Sequence, residues 1–206
     1  MTAPSADSRF ERRRRRTREA ILEVATALFR ERGVRAVKVE EICERADIAQ
    51  RTFFNHFRTR EHLYEEIARR RAERFAALMD VQRDDARPLD RRLPELFARI
   101  GEYVEGAPAY RELVGEMLHL RVDGSSAVVR SRLLGAAALR FVADGVARGE
   151  VTRRHAPETL ADVLLGTLVT ALHNWSGSSD YPLAGGLADA AAALLDLFTP
   201  HDGEAS

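Results

Sequence analysis

Between its prolines and glycines, the chain places apolar residues three and four positions apart almost throughout, which is the spacing of an amphipathic α-helix. The clearest segment runs from Thr17, a candidate N-cap, to Gly33, a candidate stop. Its apolar residues are Ile21, Leu22, Val24, Ala25, Leu28 and Phe29. Because no segment alternates convincingly as a strand would, the pattern predicts an all-α chain of about nine helices.

Two short helices are predicted next, in "VEEICERA" (39–46) and "QRTFFNHF" (50–57). Three or four residues separate them, which is the spacing of a helix-turn-helix. Longer helices are predicted from 60 to about 81 and at 89–105, 108–121, 127–148, 157–175 and 183–198, with frayed termini at 1–9 and 200–206. We therefore expect a basic arm and a three-helix helix-turn-helix domain over 1–60, and a helical domain over 61–206.

The formal net charge is zero, but the charge is unevenly distributed. Residues 1–60 carry 15 Arg and Lys against 9 Asp and Glu, a net charge of +6, which leaves −6 for residues 61–206. This asymmetry favours a head that meets a polyanion and a body that does not. Lys38 is the only lysine, and the arginines that make up the rest suit bidentate contacts with phosphate and guanine.

Several classes of protein are disfavoured by what the sequence lacks. The longest nearly uncharged run is too short and too polar for a bilayer span, and no apolar signal core follows the N-terminus, so we expect a cytoplasmic protein without a membrane partner. Cys43 is the only cysteine, which excludes a disulfide framework and a multi-cysteine zinc site, and we expect a buried thiol. The six histidines show no metal-ligand spacing, and no nucleophile elbow or phosphate-binding loop occurs, so no metal, cofactor or catalytic residue is predicted. Scattered His and Asp side chains could still converge, which leaves a helical enzyme as a less favoured alternative.

The second short helix has one apolar and one polar side. Phe53 and Phe57 lie four residues apart and face a core. The outward positions are Gln50, Arg51, Thr52, Asn55 and His56. Gln50 or Asn55 could pair with adenine and Arg51 with guanine in a major groove, and the hydroxyl and imidazole of the remaining two suit phosphate. We therefore predict that this helix binds DNA.

The arginine run at 12–16 is a second candidate DNA contact. Beside a helix-turn-helix, residues such as Arg14 and Arg16 could follow the phosphate backbone or reach into a minor groove. The alternative is a solvated run of charge with no special role.

Residues 17–67, "TREAILEVATALFRERGVRAVKVEEICERADIAQRTFFNHFRTREHLYEEI", resemble the N-terminal domain of the tetracycline-repressor (TetR/AcrR) family of bacterial transcription regulators. The shared positions are Ala25, Phe29, Gly33, Val39, Ile42, Ala46, Thr52, Phe57, Glu61 and Leu63. The resemblance covers about a quarter of the chain and implies a double-stranded DNA operator as partner. The departures from the family pattern are Lys38 for Ser or Thr, Asp47 for Gly, Ala49 for Ser, Arg51 for a small residue, Phe54 for Tyr and Arg60 for Lys. Hydroxyl contacts to phosphate are lost by these changes, and Lys38 and Arg60 are candidates to replace them.

The resemblance also implies that the C-terminal helices form a ligand chamber and a dimer interface, with the last two helices of each subunit packed as a four-helix bundle. The stripe predicted for this interface is Leu164, Leu168, Leu172, Trp175, Leu187, Ala191, Leu194, Leu195 and Phe198. The same stripe could instead close the core of a single chain. Candidate walls of the chamber are Phe75, Met79, Phe97, Ile100, Tyr103, Met117, Phe141, His173 and Asn174, for each of which plain core packing is the alternative.

We therefore expect a ligand-responsive transcription regulator, in the form of a repressor that binds a palindromic operator as a homodimer and is released by a small-molecule effector. In this hypothesis the effector shifts the fourth helix and changes the separation of the two heads. A helical sensor or adaptor with a weak DNA-binding head is the main alternative.

Overall fold

The computed structural model describes residues 6–106, 111–112 and 124–200, with side chains described for 9–106, 111–112 and 132–200. Eight helices lie in this part of the chain: α1 (Ala6–Arg32), α2 (Val39–Arg45), α3 (Gln50–His56), α4 (Arg60–Asp84), α5 (Leu89–Glu105), α6 (Gly124–Ala147), α7 (Pro157–Gly177) and α8 (Leu183–Phe198). The predicted all-α class is confirmed. The bounds predicted for the helices at 89–105 and 183–198 agree with α5 and α8. The helix predicted at 108–121 lies outside the described residues except for 111–112.

The chain divides into two compact units, one up to Ile67 and one from Ala68 onward. The first unit therefore contains α1, α2, α3 and the first two turns of α4. The boundary at 60 expected from the sequence marks the start of α4 instead. A single helix thus supplies residues to both units.

The first unit has a small aromatic and aliphatic core. Phe53 and Phe57 of α3 are buried, with ring centroids 5.7 Å apart, and Phe29 of α1 meets Tyr64 of α4 at 5.6 Å. Aliphatic residues from α1, α2 and α4 complete it: Ile21, Leu22, Ala25, Leu28, Ile42, Leu63 and Ile67. Cys43 lies in the same core and is 4% exposed, as predicted, and burial raises the pKa of its thiol. The packing orients the polar side of α3 outward.

Helix α1 begins eleven residues earlier than the sequence pattern predicts. Thr17 does not cap the helix; its Oγ1 donates a hydrogen bond to the carbonyl of Arg13, one turn before it inside the helix. The arginine run is part of the same helix because Arg is a good helix former and no Pro or Gly interrupts residues 6–32. The predicted basic arm and the predicted frayed terminus at residues 1–9 are therefore wrong from Ala6 onward, where the chain is helical.

The turn between α2 and α3 depends on a left-handed residue. The φ of Asp47 is 51°. The Asp47 N–H donates to the carbonyl of Glu44 at 3.2 Å and the Ile48 N–H to that of Cys43 at 3.0 Å, which together form a Schellman motif. Asp adopts this conformation more readily than most residues with a side chain. Asp47 therefore performs the role that the family pattern gives to glycine.

The second unit is built on α5, α6, α7 and α8, with α6 packed on α7, α5 on α8, and α7 on α8. One end of this unit contains a buried arginine with several polar partners. Arg92 of α5 is fully buried and donates from Nη1 to the carbonyl of Gln82 at 3.2 Å and from Nη2 to the Glu150 carboxylate. Asp144 of α6 lies 3.8 Å from Nη1. This ion cluster ties α4, α5 and the end of α6 together.

None of the helices in the described residues combines the length and the apolar character needed to cross a bilayer. Within the same residues, no three His, Cys, Asp or Glu side chains are grouped as metal ligands would be.

Candidate nucleic-acid interface

The outer side of α3 carries the polar residues that the sequence predicts. Gln50, Arg51 and Asn55 are exposed, and Thr52 and His56 are half-buried. Neither α2 nor α3 has a side-chain N-cap, because Lys38 and Ala49 stand at the capping positions, as the departures predict. Their DNA contacts remain predictions.

One edge of α3 faces α2. Gln50 Nε2 donates a hydrogen bond to Glu40 Oε1 at 3.3 Å, so its amide must leave this partner, or share it, to pair with a base. Phe54 lies near the same edge, 45% exposed, with its ring edge-to-face on Phe53 at 5.3 Å. An aromatic ring without a hydroxyl offers this edge apolar contact rather than a phosphate hydrogen bond.

The other edge of α3 faces the N-terminal half of α1 across an open groove of about 350 Å³, which we call the α1–α3 groove. Four residues of α1 and three of α3 line it: Phe10, Arg13, Arg14, Thr17, Thr52, Asn55 and His56. Three of these, Thr52, Asn55 and His56, belong to the predicted DNA-binding set, and so does Arg14. Arg16, also predicted, is exposed but does not line the groove.

His56 is the half-buried histidine among the residues that line this groove. Burial is the largest cause that lowers the pKa of His56 from its ordinary value of 6.5, and the charges of Arg14 and Arg18 lower it further. The imidazole is therefore held in its neutral form at neutral pH. A phosphate brought into the groove would act in the opposite direction.

Arg18 fixes the end of α3, a role that sequence reasoning missed. Its Nη1 donates to the carbonyl of His56 at 2.9 Å, its Nη2 lies 3.2 Å from Glu66 of α4, and its guanidinium lies 4.4 Å from the centroid of the Phe57 ring. A cation at a helix C-terminus is favourable because the last carbonyls carry partial negative charge. The available signal was an arginine three residues before Ile21, on the apolar side of α1.

The two basic residues proposed as substitutes for lost hydroxyls are placed differently. Lys38 is exposed at the start of α2, and its backbone N–H donates to Glu41 Oε2 at 2.8 Å. Arg60 is half-buried, donates to the carbonyl of Val34, and lies 5.2 Å over the Tyr64 ring. Arg60 therefore ties the start of α4 to the connection after α1, and its guanidinium would have to leave that carbonyl, or share it, to reach a phosphate.

The residues predicted to line a ligand chamber are distributed over the second unit. Phe75, Met79, Phe97, Ile100 and Phe141 are buried, and Tyr103 is half-buried with its ring edge-to-face on Phe75 at 5.8 Å. His173 and Asn174 are exposed on α7, and Met117 lies outside the described residues. The ring contact among them joins Phe75 of α4 to Tyr103 of α5, whereas the two polar residues face solvent.

The stripe predicted as a dimer interface is buried inside the single chain. Seven of its nine residues are buried without any partner, and Leu172 and Leu195 are half-buried. The packing of α5 on α8 and of α6 on α7 covers them. The seven buried residues therefore close the core of the second unit, which is the alternative that the pattern left open, while Leu172 and Leu195 keep part of their surface exposed.

A short helix with an outward polar side, held by a small core beside a basic helix, is the arrangement of a helix-turn-helix domain. Comparisons with known proteins agree. Residues 21–67 match the family model described as bacterial regulatory proteins, tetR family. This stretch spans α2, α3 and the adjoining parts of α1 and α4, so the likeness to the tetR family is shown for the helix-turn-helix.

Two curated relatives are transcriptional repressors. The chain is 36% identical over 89 residues to the HTH-type transcriptional repressor KstR2 of Mycobacterium tuberculosis, which covers 43% of this chain and 44% of KstR2. The chain thus spans less than half the length of that relative. It is 27% identical over 157 residues to the repressor DhaR of Mycobacterium sp. strain GP1, covering 73% of this chain and 77% of DhaR.

The fold extends over nearly the whole chain. SmeT, the repressor of the Stenotrophomonas maltophilia multidrug efflux pump SmeDEF, superposes with a TM-score of 0.71 at 20% identity, covering 92% of this chain and 93% of SmeT. A second structure of SmeT contains triclosan and superposes with a TM-score of 0.72, again at 20% identity, over 92% of this chain and 94% of SmeT.

Proposed function

We propose that this chain is a ligand-responsive transcriptional repressor that binds a palindromic DNA operator as a homodimer and releases it when a small-molecule effector binds in the second unit. The observation that carries the proposal is the outer side of α3, where Arg51 and Asn55 are exposed on a helix-turn-helix that has a basic helix at its edge. Its relatives KstR2 and DhaR are repressors, which supports the sign of regulation.

Homodimer formation is supported by the outer sides of the last two helices. Val163 and Val169 of α7 and Leu197 of α8 are exposed apolar residues. A shallow surface groove of about 420 Å³ runs between α7 and α8 and is lined mostly by small residues: Val163, Gly166, Thr167, Thr170, Ala171, Asn174, Tyr181, Gly186 and Ala190. Small residues allow close approach of a second pair of helices. A two-fold dimer would present two copies of α3 to successive major grooves.

An effector in the second unit is supported by the buried aromatic side chains Phe75 of α4, Phe97 of α5 and Phe141 of α6, of which Phe75 contacts the ring of Tyr103. SmeT, which shares this fold, binds triclosan, a mostly apolar aromatic molecule. We infer an effector of predominantly apolar character. Because α4 supplies residues to both units, a ligand that prefers one position of α4 would shift the DNA-binding equilibrium through it.

The test is binding of the purified chain to DNA flanking its own gene, over a range of salt concentrations, with random DNA as competitor. A specific operator should be bound at least about a thousandfold more tightly than random DNA. The proposal would be refuted if the wild-type chain bound the flanking DNA no more tightly than random DNA and if a selection over the whole genome also yielded no specific site. That result would favour an adaptor.

Substitution of Arg51 assigns the base contact. Arg51→Ala should lose about 1–3 kcal/mol of discrimination at one base pair in each half-site, with little change in affinity for random DNA. The matched control is Arg91→Ala, which removes an exposed arginine from α5 in the second unit. A uniform loss of affinity for all sequences with Arg51→Ala would mean that this side chain contacts phosphate instead.

A further inference from the structure

The N-terminal half of α1 has two different sides, although both are rich in arginine. Phe10, Arg13, Arg14 and Thr17 follow the i, i+3, i+4, i+7 pattern and face α3 across the α1–α3 groove. Arg12 and Arg15 lie on the opposite side of the helix and are exposed. The structure thus separates the arginine run into residues that share a site with α3 and residues that do not.

The groove offers donors and cations. Arg13 and Arg14 bring two guanidinium groups, Thr52 a hydroxyl and Asn55 an amide, whereas the Thr17 hydroxyl already donates to the carbonyl of Arg13. No carboxylate is among the seven residues that line it. Phe10 closes one side with an aromatic ring that is 70% exposed. This combination of cations, short donors and one apolar wall suits a phosphate group attached to a sugar.

We propose that the α1–α3 groove grips the sugar–phosphate backbone at the edge of the major groove entered by α3, which makes the N-terminal half of α1 a second DNA-binding helix. The inference rests on the proposed function and deepens it. Arg13 and Arg14 contact phosphate from α1, Thr52 and His56 contact the same strand from α3, and the Phe10 ring packs on deoxyribose.

Asn55 identifies the occupant as DNA rather than a free anion. It lines the groove and also lies on the exposed outer side of α3, next to the position of Arg51 on the helix surface. A ligand that fills the groove as far as Asn55 therefore borders the base-reading side of α3. At about 350 Å³ the groove is also much larger than one phosphate ion, so a single small anion would leave most of its volume to water.

The experiment compares two double variants of the full chain that each remove two positive charges from the same helix. Arg13→Ala with Arg14→Ala changes the side that faces the groove, and Arg12→Ala with Arg15→Ala changes the opposite side. Alanine preserves helix propensity, and circular dichroism and urea unfolding confirm that each variant folds. Operator affinity is measured against salt, and contacted phosphates are mapped by ethylation interference.

We expect the groove-side variant to lower the slope of log affinity against log salt by about one to two and to abolish interference at one or two phosphates in each half-site. The opposite-side variant should keep every interfering phosphate and lose less affinity. Equal losses in the two variants, with the same interference pattern, would overturn the inference while the wild-type operator binding still supported the proposed function.

A second arm distinguishes DNA backbone from a free anion. Inorganic phosphate is titrated into the wild-type chain without DNA, and the His56 imidazole resonances are followed by NMR. We expect no saturable shift with phosphate alone and a clear shift with operator DNA. Saturable binding of phosphate alone, with no change at His56 on adding DNA, would make the groove a small-anion site and overturn the assignment.

Discussion

Replacing Arg92 with methionine should destabilise the second unit substantially. Methionine keeps most of the apolar stem but removes the guanidinium from a position that is 0% exposed. The carbonyl of Gln82 then loses a donor at 3.2 Å and Glu150 loses its cation, while Asp144 keeps Arg148, whose Nε lies 2.7 Å from it. Breaking a buried ion pair by removing one partner costs about 3–5 kcal/mol when the remaining charge stays buried.

The expected magnitude lies at the lower end of that range. The side chains of Glu150 and Asp144 are 23% and 30% exposed, so water can solvate both carboxylates in part after the guanidinium is lost. We therefore expect Arg92→Met to lower the free energy of unfolding by about 3 kcal/mol, which corresponds to a fall in Tm of about 6–12 °C for a chain of this size. Urea unfolding at a fixed protein concentration measures it.

The matched control is Arg99→Met on the same helix. Arg99 Nε lies 2.6 Å from Glu95, but the two side chains are 51% and 35% exposed, so this i, i+4 pair should contribute less than about 0.5 kcal/mol. Adding Glu150→Gln to Arg92→Met should recover part of the loss, because one unpaired carboxylate is removed. A loss from Arg92→Met no larger than that from Arg99→Met would refute the assignment of stability to this cluster.

Two further predictions concern the first unit. Because the pKa of His56 is lowered in the folded chain, the unfolded chain binds more protons below about pH 6.5, so stability falls as the pH drops from about 7.5 to 5.5. Operator affinity should rise as the pH falls over the same range, because a nearby phosphate raises the pKa of His56 in the complex. His56→Gln should weaken the pH dependence of both stability and operator affinity. If the variant keeps the wild-type pH dependence in either assay, the prediction for that assay is wrong. Asp47 has a φ of 51°, so Asp47→Gly should stabilise the chain slightly and Asp47→Val should destabilise it by about 1–2 kcal/mol, as urea unfolding would show. Equal stability of the two Asp47 variants would contradict the role assigned to that turn.

The helix-turn-helix could be predicted because it is a local pattern. The spacing of Phe53 and Phe57 determines which side of α3 is buried, and Gly33, with a φ of 83°, ends α1 where the sequence predicts. The start of α1 could not be predicted from apolar periodicity, because the arginine run has none and only its helix propensity extends the helix. Periodicity indicates which side of a helix is buried and not which element covers it.

This limit of periodicity explains why residues predicted for a dimer interface are buried within the single chain. Leu164, Leu168 and Trp175 form a genuine apolar side of α7, but whether α6 or a second subunit covers it depends on the tertiary arrangement. Arg18 and Arg92 were missed for a related reason. Arginine is expected at the surface, and only the structure shows that carboxylates and carbonyls from distant parts of the sequence satisfy these two guanidinium groups.

Because Cys43 is buried, the reactivity of its thiol can be used to measure how often the first unit opens. Its thiol is 4% exposed and its pKa is raised, so a thiol-specific alkylating reagent can react only when α2 separates from the core around it. Because the sequence contains no other cysteine, each modified molecule reports one opening of this unit and none of the second. The rate of alkylation, measured with and without operator DNA, would therefore give the rate of local opening of the first unit separately from the unfolding of the second unit.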